Sequence, residues 1–103
     1  MIKVSFLPAA EVELLKGVAY YSKARAGTGT RFQAAVQEAV LLAARHPSGG
    51  APSFKETRSV LVKGFPFSVV YWVSATELLV VAIAPHRKRP RYWASRVDPS
   101  SRF

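Results

Sequence analysis

From Leu78 to Ala84 every side chain is apolar. A strand with one wet face alternates polar and apolar residues. An unbroken run of this length, rich in Val, Leu and Ile and stopped by Pro85, instead reads as a central strand covered on both faces. This segment therefore predicts a layered domain built around one sheet. A chain of 103 residues has room for one such domain, spanning 1–103. Half of its residues are hydrophobic, which is enough for one modest core and too much for a disordered chain.

The segments before it supply the other elements. Ile2, Val4 and Phe6 alternate with Lys3 and Ser5, predicting a short strand. Pro8 suits the first position of a helix, and Glu11 and Glu13 lie where the helix dipole favours anions. Ala10, Leu14, Val18 and Tyr21 recur at helical spacing with Leu15 beside them, and Gly17 weakens the pattern. The run from Ala26 to Gly29 breaks the helix. Thr30 and Gln33 fit a capping box for a second one, with Phe32, Ala35, Val36, Ala39 and Ala43 as its apolar face. The sequence from His46 to Pro52 ends it. A strand follows from Thr57 to Val62, with Arg58, Val60 and Val62 on one face. Next, Phe67, Val69, Tyr71 and Val73 alternate with Ser68, Val70 and Trp72, which sets Tyr71 and Trp72 on opposite faces. Phe65-Pro66-Phe67 anchors the start of that strand. The predicted order is β-α-α-β-β-β: an α+β fold with a helical hairpin against one face of an antiparallel-dominated sheet.

Charge narrows the partners. The formal net charge is +9, which favours nucleic acid, the ribosome, an anionic membrane or an acidic protein. Residues 86–103 form a basic C-terminal tail carrying five of those nine charges. Basic residues there interleave with Tyr92 and Trp93, a pattern suited to phosphates and bases or to paired carboxylates. The chain has no cysteine, so disulfides and thiolate metal sites are excluded. Its two histidines and six carboxylates show no metal-ligand spacing, no Gly-rich phosphate loop follows a strand, and no cofactor is expected. Glu11 and Glu13 fall on different helix faces, which argues against a carboxylate pair. His46 reads as punctuation at a helix end. The N-terminus has no apolar signal core, and no stretch approaches the roughly 18 uninterrupted apolar residues of a membrane span. A cytoplasmic protein with no membrane partner is expected.

Taken in order, these residues resemble a known family. Ala10, Leu14, Ala19, Tyr20 and Tyr21, then Phe32, Val36 and Ala39, then Pro47-Ser48-Gly49-Gly50, are similar to the RelE/ParE toxins of type II toxin–antitoxin systems. More specific are Arg58, Phe65-Pro66-Phe67, Val70-Tyr71, and the ending His86, Arg89-Pro90, Tyr92-Trp93 and Arg96. The resemblance implies the small toxin fold and a cognate acidic antitoxin that wraps and neutralises the chain, with operator DNA reached only through that antitoxin. It implies a target- or antitoxin-binding set of Arg58, His86, Arg87, Arg89, Tyr92, Trp93 and Arg96.

Two targets follow from the two branches of the family. The Phe-Pro-Phe segment and the ending look closer to the ParE side, implying a non-enzymatic inhibitor of DNA gyrase of the plasmid-stabilization kind. The RelE side implies a ribosome-dependent, metal-independent messenger-RNA endonuclease, in which Arg58, His86, Arg87 and Tyr92 would be catalytic. Such a nuclease needs cations for the phosphorane charge and a general base and acid. The position where RelE-like nucleases resemble one another in carrying arginine is Ser68 here, with Lys63 or His86 as the available substitutes. A non-toxic basic nucleic-acid-binding module is the third expectation.

Overall fold

The computed structural model describes residues 2–97. Its elements are β1 (Lys3–Phe6), α1 (Pro8–Ala24), α2 (Thr28–Arg45), β2 (Ala51–Pro52), β3 (Arg58–Leu61), β4 (Phe67–Val73) and β5 (Glu77–Pro85), followed by a short 3-10 turn, Ala94–Arg96. The five strands form one sheet in the order β1-β5-β4-β3-β2. β1 runs parallel to β5, and the other neighbours are antiparallel. The predicted order of helices and strands holds, with β2 as an added two-residue edge strand. Its sequence, Ala51-Pro52, is too short to show a period.

β5 is buried from Leu78 to Ile83, as its composition requires. Both faces are covered because β5 carries an extra residue against β4. Val70 pairs with Ala82 and Tyr71 with Val80, which leaves Val81 as a bulge. Leu78, Val80 and Ile83 therefore join the core beneath the helices, while Val81 and Ala82 both pack on the opposite face with Val70, Trp93 and Val97. The second cover is thus the chain's own C-terminal segment. Residues 86–97 are folded across the sheet instead of forming a free tail, and 98–103, with Asp98 and Arg102, lie outside the described residues.

The helical hairpin packs on the first face. Its centre is an aromatic cluster in which the Phe32 ring lies 4.8 Å from Phe67 and 5.1 Å from Tyr21 and Phe65. Phe32 lies against Gly17, where a Cβ would stand 2.5 Å from the ring. The glycine that weakens the helical pattern of α1 is therefore the seat of the second helix. Leu15, by contrast, is 61% exposed and points away from the core.

α2 begins earlier than the capping box predicts. Gly27, left-handed at φ 83°, precedes Thr28, and no side chain caps the end. Thr30 lies inside the helix. The shift follows from packing: Gly29 sits where the helices meet, and a Cβ there would fall on the Ser22 hydroxyl and 2.6 Å from the Val18 carbonyl oxygen. Including Gly29 in the helix brings α2 down onto α1.

Gly29→Ala should destabilise the domain by about 1–3 kcal/mol, because the Val18 carbonyl is backbone and cannot turn aside. Gly49→Ala, whose Cβ would meet only the His46 Cβ at 3.4 Å, should cost clearly less. Urea unfolding of both variants checks this; equal losses would show that the helix contact is not the cause.

Candidate functional site

The C-terminal segment is held by one carboxylate. β1 stops pairing with β5 at Phe6 and Val80, so the backbone of β5 beyond Val80 has no strand on that side. Unpaired backbone groups in a buried strand are costly. Two side chains stand in for the missing strand. Glu13 Oε1 accepts a hydrogen bond from the Ile83 N–H at 3.0 Å, and Arg96 Nη1 donates to the Val81 carbonyl at 3.1 Å. The same residues bind each other as a fork, Arg96 Nη1 to Glu13 Oε1 at 3.0 Å and Nη2 to Oε2 at 2.9 Å. The Tyr92 hydroxyl donates to Glu13 Oε2 at 2.6 Å.

Glu13 therefore ties α1, β5 and the C-terminal segment together. Burial raises its pKa, but hydrogen bonds from Arg96, Tyr92 and the Ile83 N–H outweigh burial and leave it below the ordinary carboxylate value. Burial, then donation to Glu13, holds the Tyr92 hydroxyl well above the usual phenol range. The hydrogen bond to Glu13 also raises Arg96. Sequence reading placed Glu13 only in the first turns of a helix. The available signal was its spacing: it lies three residues after Ala10 and four before Gly17, both buried. An acid on the buried stripe of a very basic chain needs a cationic partner.

The expected site residues separate into four places. Arg58 lies opposite Tyr71 on β4, at the rim of the helix-covered face. Its Nη1 donates to the Gly50 carbonyl at 2.8 Å, and Tyr71 donates to the Pro47 carbonyl at 2.8 Å. Together they fasten the loop after α2. Burial raises the Tyr71 pKa. Tyr92 and Arg96 belong to the Glu13 knot, and Trp93 is buried at 4% exposure against the sheet. Arg87 reaches a cleft between α1 and the end of β5. Gly17, Tyr21, Phe67 and Ile83 make its apolar floor, and Lys16, Arg87 and Lys88 stand around it. His86 and Arg89 line a second groove, on the face turned away from the helices. There His86 Nε2 is 2.9 Å from the Ser68 hydroxyl.

The structure thus does not bring Arg58 and Tyr92 together, and the Tyr92 proton is committed to Glu13. Sequence reading also passed over Ser53, Ser59 and Arg91, which line the same groove as His86. Among the described residues no three His, Cys, Asp or Glu side chains group as a metal site, and no helix is long and apolar enough to cross a membrane.

Glu13 makes stability depend on pH in a definite direction. Its pKa is depressed on folding, so its contribution is present above the unfolded value of about 4.3 and is lost as pH falls through the lower folded value. Glu13→Gln should flatten that acid limb, and Glu13→Ala should cost about 2–3 kcal/mol at neutral pH by leaving Arg96 unpaired. Urea unfolding of wild type and Glu13→Gln between pH 7 and 2 checks the sign. A stability difference that stays constant over that range would remove Glu13 from this role.

The family model that describes the ParE toxin of the type II toxin–antitoxin system parDE matches residues 4–90. No curated protein matches the sequence. Among solved structures, the fold is similar to a chain of the "Chromosomal ParDE TA system from P. aeruginosa", with a TM-score of 0.69 and 18% identity over 82% of this chain and 96% of that one. At that identity the likeness supports the fold, while the family rests on the match across most of the sequence. With its helical hairpin on a five-stranded mixed sheet, this chain belongs to the ParE toxin family of type II toxin–antitoxin systems.

Proposed function

We propose that this chain is a toxin that inhibits DNA gyrase by protein contact and is neutralised by an acidic antitoxin. The supporting observation is the uneven pairing of its charge. Among the described residues one ion pair occurs, Glu13 with Arg96. The remaining cations among the described residues have no carboxylate partner in the chain, so an acidic partner could neutralise them. An acidic antitoxin meeting them would associate quickly, since charge steers encounter.

The cleft beside α1 suits an antitoxin anchor. It offers an apolar floor with Lys16, Arg87 and Lys88 around it, which fits a bulky apolar side chain flanked by carboxylates. Exposed Val12 and Leu15 extend apolar surface along α1. The gyrase reading is supported by membership on the ParE side and by the separate contacts of the nuclease set. Arg58 and Tyr92 lie apart, Tyr92 is tied to a carboxylate, and Ser68 stands where RelE-like nucleases resemble one another in carrying arginine. Of the members of the expected binding set that border the grooves, His86, Arg87 and Arg89 are exposed, and they are proposed to meet antitoxin or target. A cytoplasmic site of action accompanies this reading.

The test is supercoiling and DNA cleavage by purified gyrase, with the protein added alone and with its antitoxin. Accumulated cleaved DNA, relieved by antitoxin, is expected. Folded, cell-toxic protein without effect on gyrase would overturn the gyrase target and direct attention to translating ribosomes. Arg87→Glu should weaken antitoxin binding about tenfold or more, by placing like charges together at the cleft. Calorimetric titration measures that loss, and unchanged affinity would move the antitoxin elsewhere.

A further inference from the structure

The face of the sheet turned away from the helices carries a second, chemically different groove. Ser59 and Ser68 lie on this face, in register with Val70 and Leu61 of the neighbouring strands. Ser53 borders them from the loop after β2. His86, Arg89 and Arg91 come from the segment after β5. No aspartate or glutamate lines the groove. Hydroxyls and guanidinium groups without a carboxylate are the donor set that grips phosphate oxygens.

The backbone adds an independent observation. Among the described residues, three non-glycine positions are left-handed: Lys55 (φ 57°), Glu56 (φ 64°) and Arg91 (φ 60°). Arg91 lines this groove, and Lys55 and Glu56 follow close after Ser53, which borders it. The Arg91 guanidinium stacks on the Phe54 ring at 4.9 Å and so joins the two segments across one end. Strained backbone persists where the surroundings enforce it, and it gathers at binding sites.

Two aromatic residues line the groove, and both are already engaged. Trp93 is buried, and the Tyr92 ring lies beneath Lys88 at 4.9 Å and Arg96 at 5.3 Å. Proteins that hold single strands stack bases on aromatic rings. This groove can read only a backbone, which a double helix presents on its outside. We propose that the groove binds the sugar-phosphate backbone of duplex DNA without sequence preference. In this way the toxin would touch the DNA held by gyrase as well as gyrase itself. The choice of DNA over RNA rests on the gyrase reading; the phosphate chemistry does not.

The experiment is fluorescence anisotropy of the whole protein with a labelled DNA duplex of arbitrary sequence across a salt series, with no gyrase present. Binding should weaken steeply with salt. Arg89→Ala should weaken it several-fold and lower the salt slope by about 1, as for loss of one phosphate contact. Lys23→Ala, on α1 beyond the groove, should change neither. Circular dichroism establishes that both variants are folded, and Arg89→Lys should restore most of the binding. Three results would overturn the inference: no binding at low salt, equal effects of Arg89→Ala and Lys23→Ala, or preference for an RNA duplex or polyglutamate over DNA. Absent DNA binding with gyrase cleavage intact would sink this inference alone. DNA binding intact with gyrase unaffected would sink the gyrase target alone.

Discussion

The Glu13 carboxylate receives hydrogen bonds from three groups at once: the β5 backbone, the Tyr92 hydroxyl and the Arg96 guanidinium. The need for it arises from the topology. A four-residue parallel strand cannot cover the whole edge of a nine-residue neighbour. Past Phe6 the chain turns into α1, and the edge of β5 beyond Val80 would be left with unpaired groups. Glu13 supplies an acceptor and Arg96 a donor where a backbone would have supplied them. Half-burial of a charge is normally unfavourable, and here several strong partners offset it.

This knot determines where the basic charge lies. With Arg96 drawn to the β5 edge and Trp93 and Val97 packed on Val70, Val81 and Ala82, the segment from His86 is led across the sheet. Its cations divide between two grooves. Arg87 faces the cleft beside α1, and Arg89 and Arg91 face the hydroxyl-lined groove on the far side. One short segment thus charges both sides of the domain. The bulge at Val81 supports this division, because it places two successive small apolar residues under the returning chain.

Much of the fold was legible because it rests on periodicity. The apolar run in β5, the alternation in β4 and the stripe of Phe32, Val36, Ala39 and Ala43 each follow from one element packing on one layer, and all appear as read. Where the reading moved, a contact distant in sequence prevailed. The Thr30 cap was displaced because Gly29 must meet Val18 and Ser22. Leu15 joined no core because the hairpin turns its other side to the sheet. The site was less legible. Arg58, Trp93, Tyr92 and Arg96 carry the residue types of a binding surface, yet each is engaged in holding the fold.

By itself the sequence determined the two helices and the four longer strands, their order, the layer that two-faced burial of β5 demands, the family and the excess of positive charge. These are properties of short windows and of sums, and they survive without knowledge of distant contacts. Only the tertiary structure decided that the second layer on the sheet is the C-terminal segment, that Glu13 is the residue holding it, and that the cations separate into two grooves of different chemistry. The physical reason is distance along the chain. Glu13 and Arg96 stand 83 residues apart, and no local period connects a lone acid in a helix to an arginine near the end of the chain.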